Sequence, residues 1–240
     1  MYRGNTVALI LPAKNEALAL PCVLKSVPPE IDRVLVVDNG STDETSKTAA
    51  DLGAQVIEEP RTGYGMACLA GMVSLDKNPP DIVAFADADG SDDLSRIIDL
   101  LKPLASGHAD FVLERRMAEK PEDLSYQQRF GNWLSTCLVR LIWGYRYRDL
   151  GPMRAIKWRA LQNLRMKDRN YGWTVEMQIR ALKKGIRVME IPVPYRGRIA
   201  GVSKVSRNLK GSVRAGIKIL WVIGSEALTG PNTIRRKIKV

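Results

Sequence analysis

In Asp81-Ile82-Val83-Ala84-Phe85-Ala86-Asp87-Ala88-Asp89-Gly90-Ser91-Asp92-Asp93 an apolar run passes into an acidic turn. Ile82 to Ala86 has the length and composition of a buried strand, so Asp87 and Asp89 fall where that strand leaves the core. Negative charge beside a core edge is costly unless a positive group compensates it. A divalent cation bridging to a phosphorylated ligand is compensation that needs carboxylate oxygens and little else from the protein. An isolated Asp-x-Asp is more often a solvated strand-end turn, so its neighbours decide its meaning.

Upstream, strand-like and helix-like segments alternate. Val7 to Leu11, Val34 to Val37 and Ala54 to Glu58 read as strands, and about Leu18 to Val27, Glu44 to Leu52 and Gly63 to Leu75 as helices. Asp38-Asn39-Gly40-Ser41-Thr42-Asp43 supplies a turn and an N-cap for the second helix. Downstream come a helix over Leu94 to Leu104 and a strand over Ala109 to Leu113. Such alternation predicts an α/β fold with a mostly parallel sheet, whose ligands bind at the carboxyl ends of the strands. The loops after the first, second and fourth strands all carry Asp, Asn or Glu there. The second half predicts a long helix over Gln127 to Tyr145, a loop over Asp149 to Arg154, helices over Trp158 to Met166 and Thr174 to Lys184, and a strand over Arg187 to Val193 interrupted by Pro192 and Pro194.

The 240 residues suffice for one sizeable core, and their composition is that of an ordinary globular protein. Three scattered cysteines, Cys22, Cys68 and Cys137, fit reduced thiols in a cytoplasmic setting and argue against zinc. No signal-peptide layout opens the chain, and the late apolar run Ile219 to Ile223 is far short of the ~20 residues a spanning helix needs. A chain that does not cross a membrane is therefore expected.

Charge is unevenly placed. From Arg196 to Val240 eleven Lys and Arg face one acid, Glu226, a net +10; the preceding 195 residues hold 26 bases and 25 acids. Arg207, Lys210, Arg214 and Lys218 share one helical face, with Leu209, Val213, Ile217, Leu220 and Trp221 away from it. This amphipathic pattern suits the plane of an anionic membrane, and equally a helix packed on the core with a wet basic face. Arg235-Arg236-Lys237-Ile238-Lys239 reads as a mobile basic tail.

The ordered set Leu11-Pro12-Ala13-Lys14-Asn15-Glu16, Val37 to Asp43, Arg61-Thr62-Gly63-Tyr64-Gly65, Asp87-Ala88-Asp89-Gly90, Arg129-Phe130-Gly131-Asn132, Asp149 to Arg154 and Arg198 to Lys204 resembles family-2 glycosyltransferases of the GT-A fold. It is most similar to the polyprenyl-phosphate (dolichol-phosphate) mannose or glucose synthase branch. The resemblance implies a single GT-A catalytic domain over residues 1–205, with 206–240 forming the basic helix and tail as part of that domain or as a peripheral membrane appendage.

It also implies roles. Pro12, Ala13, Glu16, Asp38, Gly63 and Asp87 would bind a UDP- or GDP-hexose. Asp89, assisted by Asp87, would hold Mg²⁺ or Mn²⁺, which neutralises the leaving nucleoside diphosphate. Arg116, Arg129, Ser203 and Lys204 would meet the acceptor phosphate, and Arg198 would stabilise the leaving group. Relatives usually follow the acidic motif with Gln-His where this chain has Ser91-Asp92, and Asp92 offers an extra acid for a cation. Glu114-Arg115-Arg116 likewise stands where Gly-Ser-Arg is usual.

The preferred reading is a metal-dependent, inverting transfer of a hexose to a polyprenyl phosphate at the inner membrane face. A phosphate oxygen needs little help from a general base, whereas a hydroxyl acceptor would need one, and Glu176 is the candidate. The alternatives are a transferase acting on a soluble or lipid hydroxyl, a sugar-1-phosphate nucleotidyltransferase, and a basic nucleic-acid-binding module. The nucleotidyltransferase would carry a glycine-rich, lysine-bearing phosphate loop that Pro12 to Glu16 is not. The binding module would leave the acidic strand ends without a ligand, so no nucleic-acid partner is expected. A homo-oligomer stays open.

Overall fold

Every residue of strand β4 (Ile82–Phe85) is buried, as its unbroken apolar run requires of a strand covered on both faces. The computed structural model describes residues 1–199 and 209–229. In it β4 lies between β1 (Val7–Ala13) and β6 (Arg154–Lys157) within a seven-stranded sheet of order β3-β2-β1-β4-β6-β5-β7. The remaining strands are β2 (Arg33–Asp38), β3 (Gln55–Glu58), β5 (Phe111–Ala118) and β7 (Val188–Tyr195). All run parallel except β6, which is antiparallel to both β4 and β5. This is the mostly parallel, helix-flanked α/β sheet that the sequence predicts.

Alternate residues of each strand feed two cores. Ile10, Leu35, Val83 and Phe85 face one; Leu9, Val36, Ile82 and Ala84 face the other. The second core is covered by α1 (Leu20–Lys25), α2 (Thr45–Asp51) and α4 (Ile97–Ala105). The first is covered by α3 (Tyr64–Leu75), α5 (Tyr126–Trp143), α6 (Trp158–Leu164), α7 (Trp173–Lys183) and α8 (Leu209–Leu228). Val222 and Ile223 of α8 belong to that core, and α8 packs against α5 and α7.

Several boundaries differ from the sequence reading. β1 runs on through Pro12 and Ala13, because Pro12 and Ala13 still pair with Val37 and Asp38. β5 extends to Ala118, so Glu114 and Arg116 stand in a strand rather than a loop. The expected loop ends at Arg154, and Ala155 to Lys157 have no sequence assignment, because the four residues of β6 are too few to show an alternation. β7 continues through Pro192 and Pro194, which is tolerated because it is the sheet's edge. α1 begins at Leu20 with Pro21 in its first turn, leaving Leu18 outside the helix and exposed. α5 starts on a capping box between Ser125 and Gln128 and stops at Gly144, whose left-handed backbone ends the helix.

Candidate active site

The chain leaves β1 toward α1 and β2 on one side, while β4 lies on β1's other side. Their carboxyl ends therefore diverge, and the crevice opens there. Pro12, Ala13, Lys14 and Glu16 from the end of β1 meet Asn39 from β2 and Asp87 and Asp89 from β4 around a cavity of about 780 Å³. That volume lies within the usual range for small-molecule sites, roughly 300–1,000 Å³. Gly63, Tyr64, Arg116, Asn132, Tyr171, Tyr195 and Arg198 complete much of its wall.

Hydrogen bonds fix the loops that carry these groups. Asn15, left-handed at φ 51°, accepts from Thr42 N at 2.7 Å, and its own N–H donates to Ser41 Oγ at 2.9 Å. Asn39 donates to the carbonyls of Glu59 and Arg61 and accepts from Gly63 N at 2.7 Å. It thereby ties the end of β2 to the approach to α3. Close packing continues beyond: a Cβ on Gly65 would sit 2.1 Å from the Asp168 carbonyl oxygen, and one on Gly63 2.2 Å from that of Arg169. These glycines let α3 approach the 168–170 backbone, a neighbouring loop rather than a ligand.

Asp89 is held firmly. Its Oδ1 accepts from Ser91 N at 2.9 Å and Ser91 Oγ at 2.6 Å; its Oδ2 lies 2.7 Å from Arg198 Nε. The Arg198 terminal nitrogen also donates to Glu16 Oε1 at 2.7 Å. The segment reaching Arg198 is tied over the acidic turn by Arg196 N to Ser91 O and Ile199 N to Asp89 O. Burial, and then the charge of Asp89, push the Asp87 carboxyl up to about 7. Behind it Asp92 accepts from Asp87 N at 2.9 Å, but its Oδ1 is buried without a partner, as is Glu114 Oε2. Burial and the neighbouring Glu114 raise Asp92 well above the ordinary carboxylate range; burial takes Glu114 to about 8. Asp92 thus braces the turn from behind and does not line the cavity.

Asp87 and Asp89 present carboxylates to one cavity, but no cluster of three or more His, Cys, Asp or Glu suited to a metal exists among the described residues. The donor set fits a hard cation of the Mg²⁺ type, which takes one or two carboxylates and completes its shell with phosphate oxygens and water.

Eight of the sequence-predicted residues line the cavity: Pro12, Ala13, Glu16, Gly63, Asp87, Asp89, Arg116 and Arg198. Three do not. Asp38 is outside the lining; it accepts from Ser41 N at 2.8 Å and from the Ser46 hydroxyl, one bond to each carboxylate oxygen. Arg129 is exposed on α5, with its Nε donating to the Leu124 carbonyl. Glu176 faces a second cavity and accepts from Lys167 N and Asp168 N, the latter at 2.8 Å, while pairing with Arg180 at 2.9 Å. Its place in the first turn of α7 directs it at the 167–168 backbone, outside the cavity of Asp87 and Asp89. Ser203, Lys204, Arg207, the Lys210 side chain and the 235–239 tail lie outside the described residues.

Arg116 reaches the cavity with its charge already engaged. It donates to both oxygens of Asp149 at 2.8 Å and stacks over Tyr195 at 5.2 Å. Burial works against its charge, but Asp149 more than offsets this and raises its pKa. Lys14, Asn39, Tyr64 and Asn132 are wall residues that the sequence reading did not assign. All four stood within quoted motifs, where the resemblance gave them no role of their own.

The profile of Glycosyl transferase family 2 matches residues 8–166. The chain is 40% identical over 220 residues to the uncharacterized glycosyltransferase Rv0539 of Mycobacterium tuberculosis, covering 92% of this chain and 99% of that protein. It is 29% identical over 234 residues to a dolichyl-phosphate hexose transferase of Haloferax volcanii, covering 95% and 98%. Glucosyl-3-phosphoglycerate synthase of M. tuberculosis, crystallised with Mn²⁺, UDP-glucose and phosphoglyceric acid, superposes with a TM-score of 0.77 at 20% identity, over 95% of this chain and 82% of that one. That likeness places the α/β sheet among GT-A glycosyltransferase structures.

Proposed function

The chain belongs to glycosyl transferase family 2, and from that premise we propose that it moves a hexose from a nucleotide diphosphate sugar to the phosphate of a polyprenyl phosphate. The observation that carries this reading is the cavity itself. Four carboxylates, Glu16, Asp87, Asp89 and Asp123, share its wall with four cations, Lys14, Arg116, Arg196 and Arg198, at or beyond the carboxyl ends of β1, β4, β5 and β7. A cavity with both signs of charge suits a metal-chelated diphosphate together with a second phosphate. Bound at Asp89 and Asp87, Mg²⁺ or Mn²⁺ would supply Lewis-acid neutralisation of the departing diphosphate.

The residues of the chain do the rest. Lys14, Asn39 and the backbone at Gly63 border the donor. Arg198 leaves Glu16 and Asp89 to meet the phosphate charge that develops as the sugar–phosphate bond breaks. Arg116, locked by Asp149, offers a fixed cation to the acceptor phosphate without reorganising. The phosphate oxygen attacks the anomeric carbon from the face opposite the leaving nucleoside diphosphate, and the configuration inverts.

A phosphate nucleophile has no proton to lose, which agrees with the commitment of Glu176 to backbone amides outside the cavity. The Haloferax relative, named as a dolichyl-phosphate hexose transferase, supports a lipid phosphate acceptor. The phosphoglyceric acid bound by the structural neighbour favours the second reading, a soluble phosphorylated acceptor. Mass-spectrometric detection of hexosyl product, with polyprenyl phosphate and phosphoglycerate offered separately, decides between them. Product from the lipid is expected; product from the soluble acceptor alone would overturn the lipid assignment.

A further inference from the structure

The face of α8 that turns away from the core is apolar. Ala215, Val222 and Ile223 point inward, yet Ile217 is 62% exposed, Trp221 63% and Leu220 40%. A surface helix ordinarily places polar residues there. Its neighbour α5 repeats the pattern: Phe130, Trp133 and Leu141, at spacings that keep them on one stripe, are exposed by 62%, 59% and 81%. Phe130 and Trp133 touch ring to ring at 5.9 Å. Two adjacent helices with outward stripes this apolar exceed the scattered single hydrophobics normal for a monomer.

The exposed charge on the two helices has one sign. Arg129 and Arg140 stand on α5, which contains no acid at all. Arg214 and Lys218 stand on α8, whose single acid, Glu226, is buried and paired with Arg180 and Lys183. Lys218 lies 4.4 Å over the Trp221 ring and pairs with Asp168. A second copy of the chain docked here would bring Arg129, Arg140 and Arg214 toward like charges, with no exposed acid on either helix to meet them. An anionic bilayer instead supplies a wet anionic layer for the cations and an apolar interior for the rings.

The same two helices flank the donor cavity. Gln128, Gly131 and Asn132 of α5 and Ala215, Gly216 and Ile219 of α8 belong to its wall. We propose that α5 and α8 together form a membrane-docking face that seats the catalytic cavity against the surface of an anionic bilayer, so that a lipid-borne phosphate enters between them. Docking is carried by the apolar stripes of both helices, not by the basic side of α8 alone. The route of the acceptor rests on the function proposed above; the docking does not.

The test is flotation of the full chain with vesicles of phosphatidylcholine containing phosphatidylglycerol, and with phosphatidylcholine alone. Wild type should float with the anionic vesicles. The double variants Phe130→Ser/Trp133→Ser and Ile217→Ser/Trp221→Ser should each lower vesicle partitioning by about tenfold or more. Thermal midpoint and nucleotide-sugar binding should stay at wild-type values in both, which separates lost docking from lost folding. Undiminished flotation in either variant overturns the two-helix face. So does a wild-type dimer by light scattering that the same substitutions dissociate, which would assign the face to a second copy. Flotation lost as expected, in an enzyme that glycosylates no polyprenyl phosphate, would sustain the docking and sink only the acceptor reading.

Discussion

Glu114 shows how much chemistry lies behind the cavity wall. Its Oε1 accepts from Met153 N at 2.9 Å, while Oε2 is buried without a partner. A carboxyl whose folded pKa is raised binds its proton in the folded state after the unfolded chain has released it. Stability is therefore fully present below the unfolded value of 4.5 and declines as pH rises toward about 8. Glu114→Gln keeps the acceptor oxygen and removes the titration. Its unfolding free energy in urea denaturation should exceed wild type increasingly from about pH 5 to 8, by on the order of 1–3 kcal/mol at the upper end; a constant difference would contradict this. Glu176→Gln should lower stability by about 1–2 kcal/mol through weakened bonds to the 167–168 amides, and leave the pH–rate profile unchanged. Loss of the acid limb of that profile would return Glu176 to the chemistry. The Asp38 carboxylate makes a related point. Its position at the end of a strand was legible, but the sequence could not say that Ser41 and Ser46 each donate to one of its oxygens.

At the scale of elements, the contact between α3 and the 168–170 loop deserves the sharpest test. Gly65→Ala would place a methyl group 2.1 Å from a backbone oxygen, so the helix and the loop must separate. The expected cost is about 2 kcal/mol or more, with weaker donor binding as the wall opens. Gly224→Ala, on the exposed side of α8 with nothing within 4 Å, should be neutral or gain up to about 1 kcal/mol in urea denaturation. The parallel strands and their helices were legible because each apolar run ended in a turn signal. β6 was not, since Arg154-Ala155-Ile156-Lys157 is short and its pairing with β4 and β5 is wholly non-local. β7 was legible up to its prolines, but not its continuation through them to Tyr195, which its edge position permits.

For the whole molecule, charge and topology divide the labour. The crevice beside β4 gathers carboxylates and cations from four parts of the chain, and α5 and α8 flank it with apolar stripes. The ordered motifs announced the first arrangement. The second depended on which side of each helix faces the sheet, which periodicity alone could not show when both faces of α8 are apolar. No helix among the described residues is long and apolar enough to cross a membrane. The central claim is that Asp87 and Asp89 hold a divalent metal together with the donor diphosphate. Calorimetric titration of UDP- and GDP-sugars with and without Mn²⁺, in wild type and in Asp89→Asn, tests it most directly. The account predicts that Mn²⁺ strengthens donor binding by about tenfold or more in wild type and has no effect in the variant. Equal metal-dependent strengthening in both proteins would contradict it.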